Sequence, residues 1–203
     1  GGLLLVLALP ASAQQVTLGV GYARMPGQLG ERASDEGLAL RLGVDLSASR
    51  HLSWSLEGGI DRLNEDRQRP TTSCQLPGGP GTCQLDLRRR DTGWSLSTLL
   101  RVHATSPRSG PYALVGVGVL QVRTSYDDRA TDGSGNPVPN LSGSGTTKTE
   151  ALAGHLGAGV ALPASSMVAV VLEGRASHLF YNYSGGFRSN WYPSVTLGVR
   201  LGR

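Results

Sequence analysis

Apolar residues alternate with small or polar residues, with a period of two, in eight separate segments of the chain. The C-terminal segment 195–202, Val-Thr-Leu-Gly-Val-Arg-Leu-Gly, shows this pattern most clearly. Side chains of an extended strand point alternately to its two faces, so each segment has one apolar face and one small or polar face. The pattern predicts eight β-strands, at residues 16–23, 38–46, 52–61, 93–103, 112–124, 152–162, 168–177 and 191–203.

The connections between these strands alternate in length. The segments 47–50, 104–110 and 163–166 are short, whereas those at 25–36, 64–84, 125–147 and around 183–186 are longer or more polar. An up-and-down barrel produces this alternation when its short turns share one rim and its loops share the other. Strands of about 10 residues can also cross a membrane at a tilt. We therefore expect an all-β fold, an up-and-down eight-stranded antiparallel transmembrane β-barrel over residues 14–203.

The residues on the second face favour a membrane barrel over a soluble ligand-binding barrel, which would also alternate. That face carries mainly Gly, Ala and Ser, which suit the narrow interior of an eight-stranded barrel, while Leu and Val would face lipid. The facing of the fifth strand stays open, because Val115 and Val117 alternate with Leu114 and Gly116. Aromatic residues near the strand ends predict interfacial girdles: Tyr22, Trp54, Trp94, Tyr112, Trp191 and Tyr192.

The N-terminal segment 1–13 has the character of a signal peptide. Its apolar run ends in Ala11-Ser12-Ala13, a pattern typical of cleavage after Ala13. No Met or basic residue precedes this run, so we expect the sequence to be truncated at its start. A buried first strand or helix is the alternative.

Three stretches resemble the eight-stranded bacterial outer-membrane β-barrel family, the OmpA/OmpX-like proteins: 11–14, 111–118 and 195–202. The resemblance covers residues 14–203. It implies a monomer in the bacterial outer membrane, in contact with outer-membrane lipid and lipopolysaccharide and inserted by the barrel assembly machinery. With the termini periplasmic, the long loops would be extracellular. Family members usually end the last strand in an aromatic residue, whereas this chain ends in Arg203, which predicts weaker recognition by that machinery or a clipped chain.

Charged residues of both signs lie on the predicted inner face. Buried charges must pair or stay hydrated, so we expect a salt-bridge network with Glu57 and Glu173 as its central acids. Two histidines, His103 and His155, share this face but are too few for a metal site. The network predicts either a mostly plugged lumen, with a structural or surface-contact role for the protein, or a narrow small-solute pore. Its predicted members are Arg41, Asp45, Glu57, Asp61, Arg101, Glu173, Arg175 and Arg200.

The two cysteines, Cys74 and Cys83, flank a Pro/Gly-rich turn in the second long loop. Cysteines so close together in an exported protein can pair, and no histidine or further cysteine lies nearby to complete a metal site. We therefore predict a disulfide and no metal.

A catalytic role finds little support in the sequence. A lipid A deacylase-like site would require a His-x-Ser-Asn segment, but Ser184 follows His178 by six residues and Ser177 points to the opposite face. We therefore predict no enzyme activity, no catalytic residues and no cofactor. The net charge of +4 is not gathered into a contiguous basic face with interleaved aromatics, so we expect no nucleic-acid partner.

Overall fold

A computed structural model describes residues 14–24, 36–63, 66–76, 79–180 and 191–202. The predicted signal peptide at 1–13, most of the first long loop, the segment around 183–186 and Arg203 lie outside these described residues. Within the described ranges, no helix combines the length and apolar character needed to cross a membrane.

The described residues form ten β-strands and one short 3-10 turn, Pro139–Leu141. The strands β1, β2, β3, β9 and β10 match predicted segments closely, whereas β6, β7 and β8 extend well beyond them. The strands are β1 (Gln14–Arg24), β2 (Glu36–Ser47), β3 (Leu52–Leu63), β4 (Asp66–Gln68), β5 (Thr71–Leu76), β6 (Gly79–His103), β7 (Gly110–Asp132), β8 (Gly143–Pro163), β9 (Val168–Phe180) and β10 (Trp191–Gly202).

Eight of these strands close into a ring in the order β1-β2-β3-β6-β7-β8-β9-β10. Strand β1 completes the ring by pairing antiparallel with β10, from Gln15 opposite Gly202 to Ala23 opposite Ser194. Closure leaves the membrane-spanning part of the sheet without a free edge. The predicted up-and-down antiparallel β-barrel is confirmed.

The β6–β7 pair continues far past the barrel wall, from His103 opposite Tyr112 to Cys83 opposite Asp132. At 25 and 23 residues, these strands are about twice the length that crosses a bilayer. The short strands β4 and β5 pair with the β6 extension. We call this projection, made of β4, β5 and the paired stretches 79–91 and 124–132, the outer hairpin.

The outer hairpin and the start of β8 correct the prediction of long loops at 64–84 and 125–147, of which 133–142 contains no strand. Strand pairing there depends on the backbone ladder and on β-prone residues such as Thr124 and Tyr126. In water neither face has to be apolar, so the alternation that marks the membrane strands is missing from this stretch. The alternation of apolar residues that predicted the barrel strands therefore could not predict the outer hairpin.

The predicted disulfide between Cys74 and Cys83 is confirmed, with the two Cα atoms 5.8 Å apart. It links β5 to β6 within the outer hairpin, and Cys83 is fully buried there. An exposed ion pair between Arg67 and Asp86, 2.5 Å between Nη2 and Oδ2, also joins β4 to β6. The hydrogen bond from Arg67 holds the pKa of the Asp86 carboxyl well below its usual range. Covalent and polar links thus take the place of an apolar core in this projection.

The barrel wall carries its apolar side chains outward, as lipid requires. Leu18, Val117 and Leu152 are each at least 60% exposed, whereas Leu114 on the other face of β7 is 2% exposed. The facing of the fifth predicted strand is therefore fixed, with Val115, Val117 and Val119 outside. Inside, small apolar clusters lie nearer each rim: Ala23, Ala39, Leu120, Val122, Ala153, Leu179 and Tyr192 toward the long-loop rim, and Leu99, Tyr112, Leu114, Ala161 and Val171 toward the short-turn rim.

Candidate functional site in the barrel lumen

Strand alternation carries charged side chains from five of the ring strands into the lumen. All eight charged residues predicted for the lumen are buried, with Arg101 1% and Asp61 0% exposed. They comprise four carboxylates and four guanidinium groups, so their formal charges cancel. The remaining members are Arg41, Asp45, Glu57, Glu173, Arg175 and Arg200.

Glu57 and Glu173 lie at the centre of this group. Arg175 holds Glu57 with two parallel hydrogen bonds, 2.7 Å from Nη1 to Oε1 and 3.0 Å from Nη2 to Oε2. Its Nη2 also donates to Glu173 Oε1 at 2.6 Å. Arg101 Nη2 lies 3.3 Å from Glu173 Oε2 and 3.6 Å from Glu57 Oε2. Each central acid is therefore shared between the same two arginines.

Toward the short-turn rim, the network continues through Asp45. Arg101 Nη1 donates to Asp45 Oδ1 at 2.5 Å, and Arg200 Nε lies 3.1 Å from Asp45 Oδ2. Thr17 donates to the same oxygen at 2.8 Å. Arg200 also donates to the carbonyl of Pro107, a buried residue of the β6–β7 turn. The network thus ends on a turn that folds over this rim.

Toward the long-loop rim, the network ends in Arg41 and Asp61. Their two parallel hydrogen bonds measure 2.6 Å and 3.0 Å, and Arg41 Nε lies 3.9 Å from Glu57 Oε1. A chain of alternating charges therefore runs from Asp61 to Arg200 through Glu57, Glu173 and Asp45. Removing such groups from water is costly, and good geometry with opposite charges offsets that cost.

Polar side chains that the sequence analysis did not assign complete this site. Tyr112 donates to Glu173 Oε2 at 2.8 Å, and a Cβ at Gly159 would lie 2.5 Å from its ring, so glycine leaves the room that Tyr112 needs. Both Tyr112 and Tyr192 are 4% exposed, so their assignment to the aromatic girdle is wrong. Strand alternation could have located Tyr192, because it shares its face with Arg200.

The remaining girdle residues do face outward. Trp54, Trp94 and Trp191 are each about half exposed, as is Tyr22. His178 joins them, with its ring edge-on to Phe180 and Trp191 at centroid distances of 5.0 Å. Ser177 points into the lumen instead, so the structure does not bring His178 and Ser177 together.

The two lumen histidines each form hydrogen bonds with different serines. His155 lies between Ser97 and Ser177, at 2.9 Å and 2.8 Å, while His103 contacts Ser53 at 2.8 Å. Across the described ranges, no three His, Cys, Asp or Glu side chains converge as a metal site would need.

A cavity of about 10 Å³ lies between the charged network and the apolar cluster toward the long-loop rim. Arg41, His155, Arg175 and Tyr192 contribute to its lining. Its volume is close to the smallest that can hold one water molecule.

A family model described as outer membrane protein beta-barrel domain matches residues 2–200. The chain belongs to the outer-membrane β-barrel family. The family places it in the bacterial outer membrane and supports the prediction that it is not an enzyme. Among curated protein sequences, none matches this chain significantly.

Solved structures share the fold at low sequence identity. The attachment invasion locus protein Ail of Yersinia pestis is 9% identical, with a TM-score of 0.51, over 93% of this chain and 99% of that protein. A major outer membrane protein of Thermus thermophilus is 13% identical, with a TM-score of 0.53, over 93% of this chain and 99% of that protein. At these identities the likeness extends to the barrel fold alone.

Replacing Tyr112 with Phe is expected to lower the free energy of unfolding by about 1.5–3 kcal/mol, because Glu173, a buried and charged acceptor, loses the hydrogen bond that the Tyr112 hydroxyl donates. Urea titration of the folded protein in lipid vesicles measures this change. Tyr22→Phe is the matched control, because it removes a hydroxyl that bonds the Glu36 carboxylate on the exposed outer wall, and it should cost less than about 0.5 kcal/mol. Equal effects of the two substitutions would contradict a role for the Tyr112 hydroxyl in the network.

Proposed function

We propose that the protein is an outer-membrane barrel with a filled lumen, which stabilises the envelope and displays its outer hairpin as a surface for contact outside the cell. The observation that carries this proposal is the continuous, charge-balanced network from Asp61 to Arg200. Solutes crossing the lumen would have to separate these buried pairs. Leaving one partner unpaired costs several kcal/mol, which disfavours the alternative of a permanently open small-solute pore.

The proposed orientation puts the short turns in the periplasm and the outer hairpin outside the cell. The connections 48–51, 104–109 and 164–167 all lie at the rim where β1 begins and β10 ends. Outer-membrane barrels generally have short periplasmic turns and longer extracellular loops. In this orientation, lipopolysaccharide surrounds the wall on the hairpin side, and the barrel assembly machinery inserts the chain from the periplasm.

Cysteine labelling on intact cells tests this display directly. Ser134 is exposed in the turn that directly follows the outer-hairpin strand β7, and Ala48 is exposed in a turn at the opposite rim, so Ser134→Cys and Ala48→Cys form a matched pair. Both native cysteines are engaged in the disulfide. A membrane-impermeant maleimide should label Ser134→Cys on whole cells, and Ala48→Cys only after the outer membrane is permeabilised. The reverse pattern would contradict the proposed orientation.

A further inference from the structure

A row of positive charges crosses the outer wall of four adjacent strands. Arg62 on β3 is opposite Thr92 on β6, Thr92 is opposite Arg123 on β7, and Arg123 is opposite Lys148 on β8. These positions share the outward face of Trp94, which is two residues from Thr92. All three cations are exposed. We call Arg62, Thr92, Arg123 and Lys148 the basic row.

The basic row lies at the height of lipid phosphates. Trp94 is an outward aromatic at the end of the apolar band, where girdle residues meet the headgroups. Two residues along a tilted strand raise the basic row by about 5 Å above Trp94. The cations therefore face the headgroup layer rather than open solvent or acyl chains.

No carboxylate occupies the basic row. Among the described residues, nearby outward acids have other partners: Glu150 accepts a hydrogen bond from Gln121 at 2.8 Å, and Asp127 pairs with Arg129 at 3.1 Å. Arg123 and Lys148 stand directly opposite each other, an arrangement of like charges that destabilises a sheet. An anion bound between them would remove that repulsion.

Two apolar grooves lie directly below the basic row, one on each side of Trp94. The larger, of about 550 Å³, is lined by Leu96, Val119 and Leu152, with the hydrogen-bonded pair Gln121 and Glu150 at its upper end. The other, of about 400 Å³, is lined by Leu18, Leu40, Leu42 and Ile60. Both open onto the lipid side of the wall, where acyl chains lie.

We propose that the basic row and the two grooves form a binding site for lipid A, the doubly phosphorylated anchor of lipopolysaccharide. One phosphate binds Arg62, and the other binds between Arg123 and Lys148, because guanidinium and ammonium groups are strong phosphate ligands. Three strand spacings separate Arg62 from Lys148, a span of about 14 Å. The acyl chains of the same lipid fill the grooves beside Trp94. This site rests on the proposed orientation, which brings the basic row to the outer leaflet.

Binding of diphosphoryl lipid A to the purified, folded barrel in detergent tests the site. The variant Arg62→Gln/Arg123→Gln/Lys148→Gln should bind at least tenfold more weakly than the wild type. Arg50→Gln/Arg108→Gln/Arg129→Gln removes the same charge elsewhere and should stay within twofold. Heat-modifiable migration establishes that each variant is folded. Equal affinity of the first variant and the wild type, or equal losses in both variants, would overturn the proposal.

Two further comparisons are needed. The first distinguishes lipid A from other phosphate-bearing lipids, and the second distinguishes failure of the binding site from failure of the proposed orientation. Monophosphoryl lipid A should bind the wild type more weakly than the diphosphoryl form, and Trp94→Ala should weaken both by removing the ridge between the grooves. Phosphatidylglycerol binding as tightly as diphosphoryl lipid A would overturn the assignment. If cysteine labelling is reversed while lipid A binding is intact, the proposed orientation and the surface role of the outer hairpin are refuted. The placement of the basic row in the outer leaflet is then refuted as well.

Discussion

Replacing Arg175 with Met is expected to lower the free energy of unfolding by about 3–5 kcal/mol. Arg175 is the only described residue that donates two hydrogen bonds to Glu57, and it also neutralises Glu173. The methionine fills much of the space but leaves an excess negative charge among buried side chains. The cost is therefore that of an uncompensated buried carboxylate and not that of a cavity.

Equilibrium unfolding in urea, with the barrel reconstituted in lipid vesicles, measures this loss. Arg129→Met is the matched control, because its ion pair with Asp127 is exposed and should contribute less than about 1 kcal/mol. Adding Glu57→Gln to Arg175→Met restores neutrality and should recover part of the lost stability. A loss below about 1 kcal/mol for Arg175→Met would show that the network does not bear on stability.

Replacing Glu57 and Arg175 together with Ser is expected to open a conducting path. This double variant keeps the lumen neutral, with three carboxylates and three arginines left from the four of each that are buried in the wild type. It removes two long side chains whose paired hydrogen bonds join β3 to β9 across the centre, where the adjoining cavity holds only about 10 Å³. Water can then join the two ends of the lumen, and ions can follow it.

Single-channel recording in planar bilayers measures this opening as discrete current steps. Gln121→Ser with Glu150→Ser is the matched control, because it removes a hydrogen-bonded polar pair from the outer wall instead of the lumen. The control should give no steps. Steps of the same size in both double variants would assign the current to the bilayer or to the wall, and not to the lumen.

The barrel could be predicted from the sequence because lipid enforces one rule on every membrane strand. In a bilayer, the outward positions of β10 must be apolar and the inward ones small or polar, so residues 195–202 carry the pattern plainly. The same alternation carried Arg41, Glu57, Arg101 and Glu173 to one face. Which arginine would meet which carboxylate was not predictable, because partners such as Glu57 and Arg175 lie on strands that never pair with each other.

Other features were not predicted from the sequence, because their residue patterns are not periodic or are typical of two different structures. Tyr112 near a strand end is equally typical of an interfacial girdle and of a lumen residue, and the facing of its strand, which the sequence left open, decides between them. The outer hairpin lacked an apolar face, so its strands resembled loops. The basic row escaped because its cations lie far apart in sequence, and strand register alone brings Arg62, Arg123 and Lys148 into line.

Current recordings of the wild-type protein test the filled lumen most directly. The Glu57→Ser/Arg175→Ser variant, recorded in the same bilayers, demonstrates that inserted barrels are detected. The wild type is expected to give a flat baseline, without discrete steps at any holding potential that the bilayer withstands. Reproducible wild-type steps that change in size when Glu57 or Arg175 is replaced by Ala would contradict a filled lumen and identify the protein as a pore.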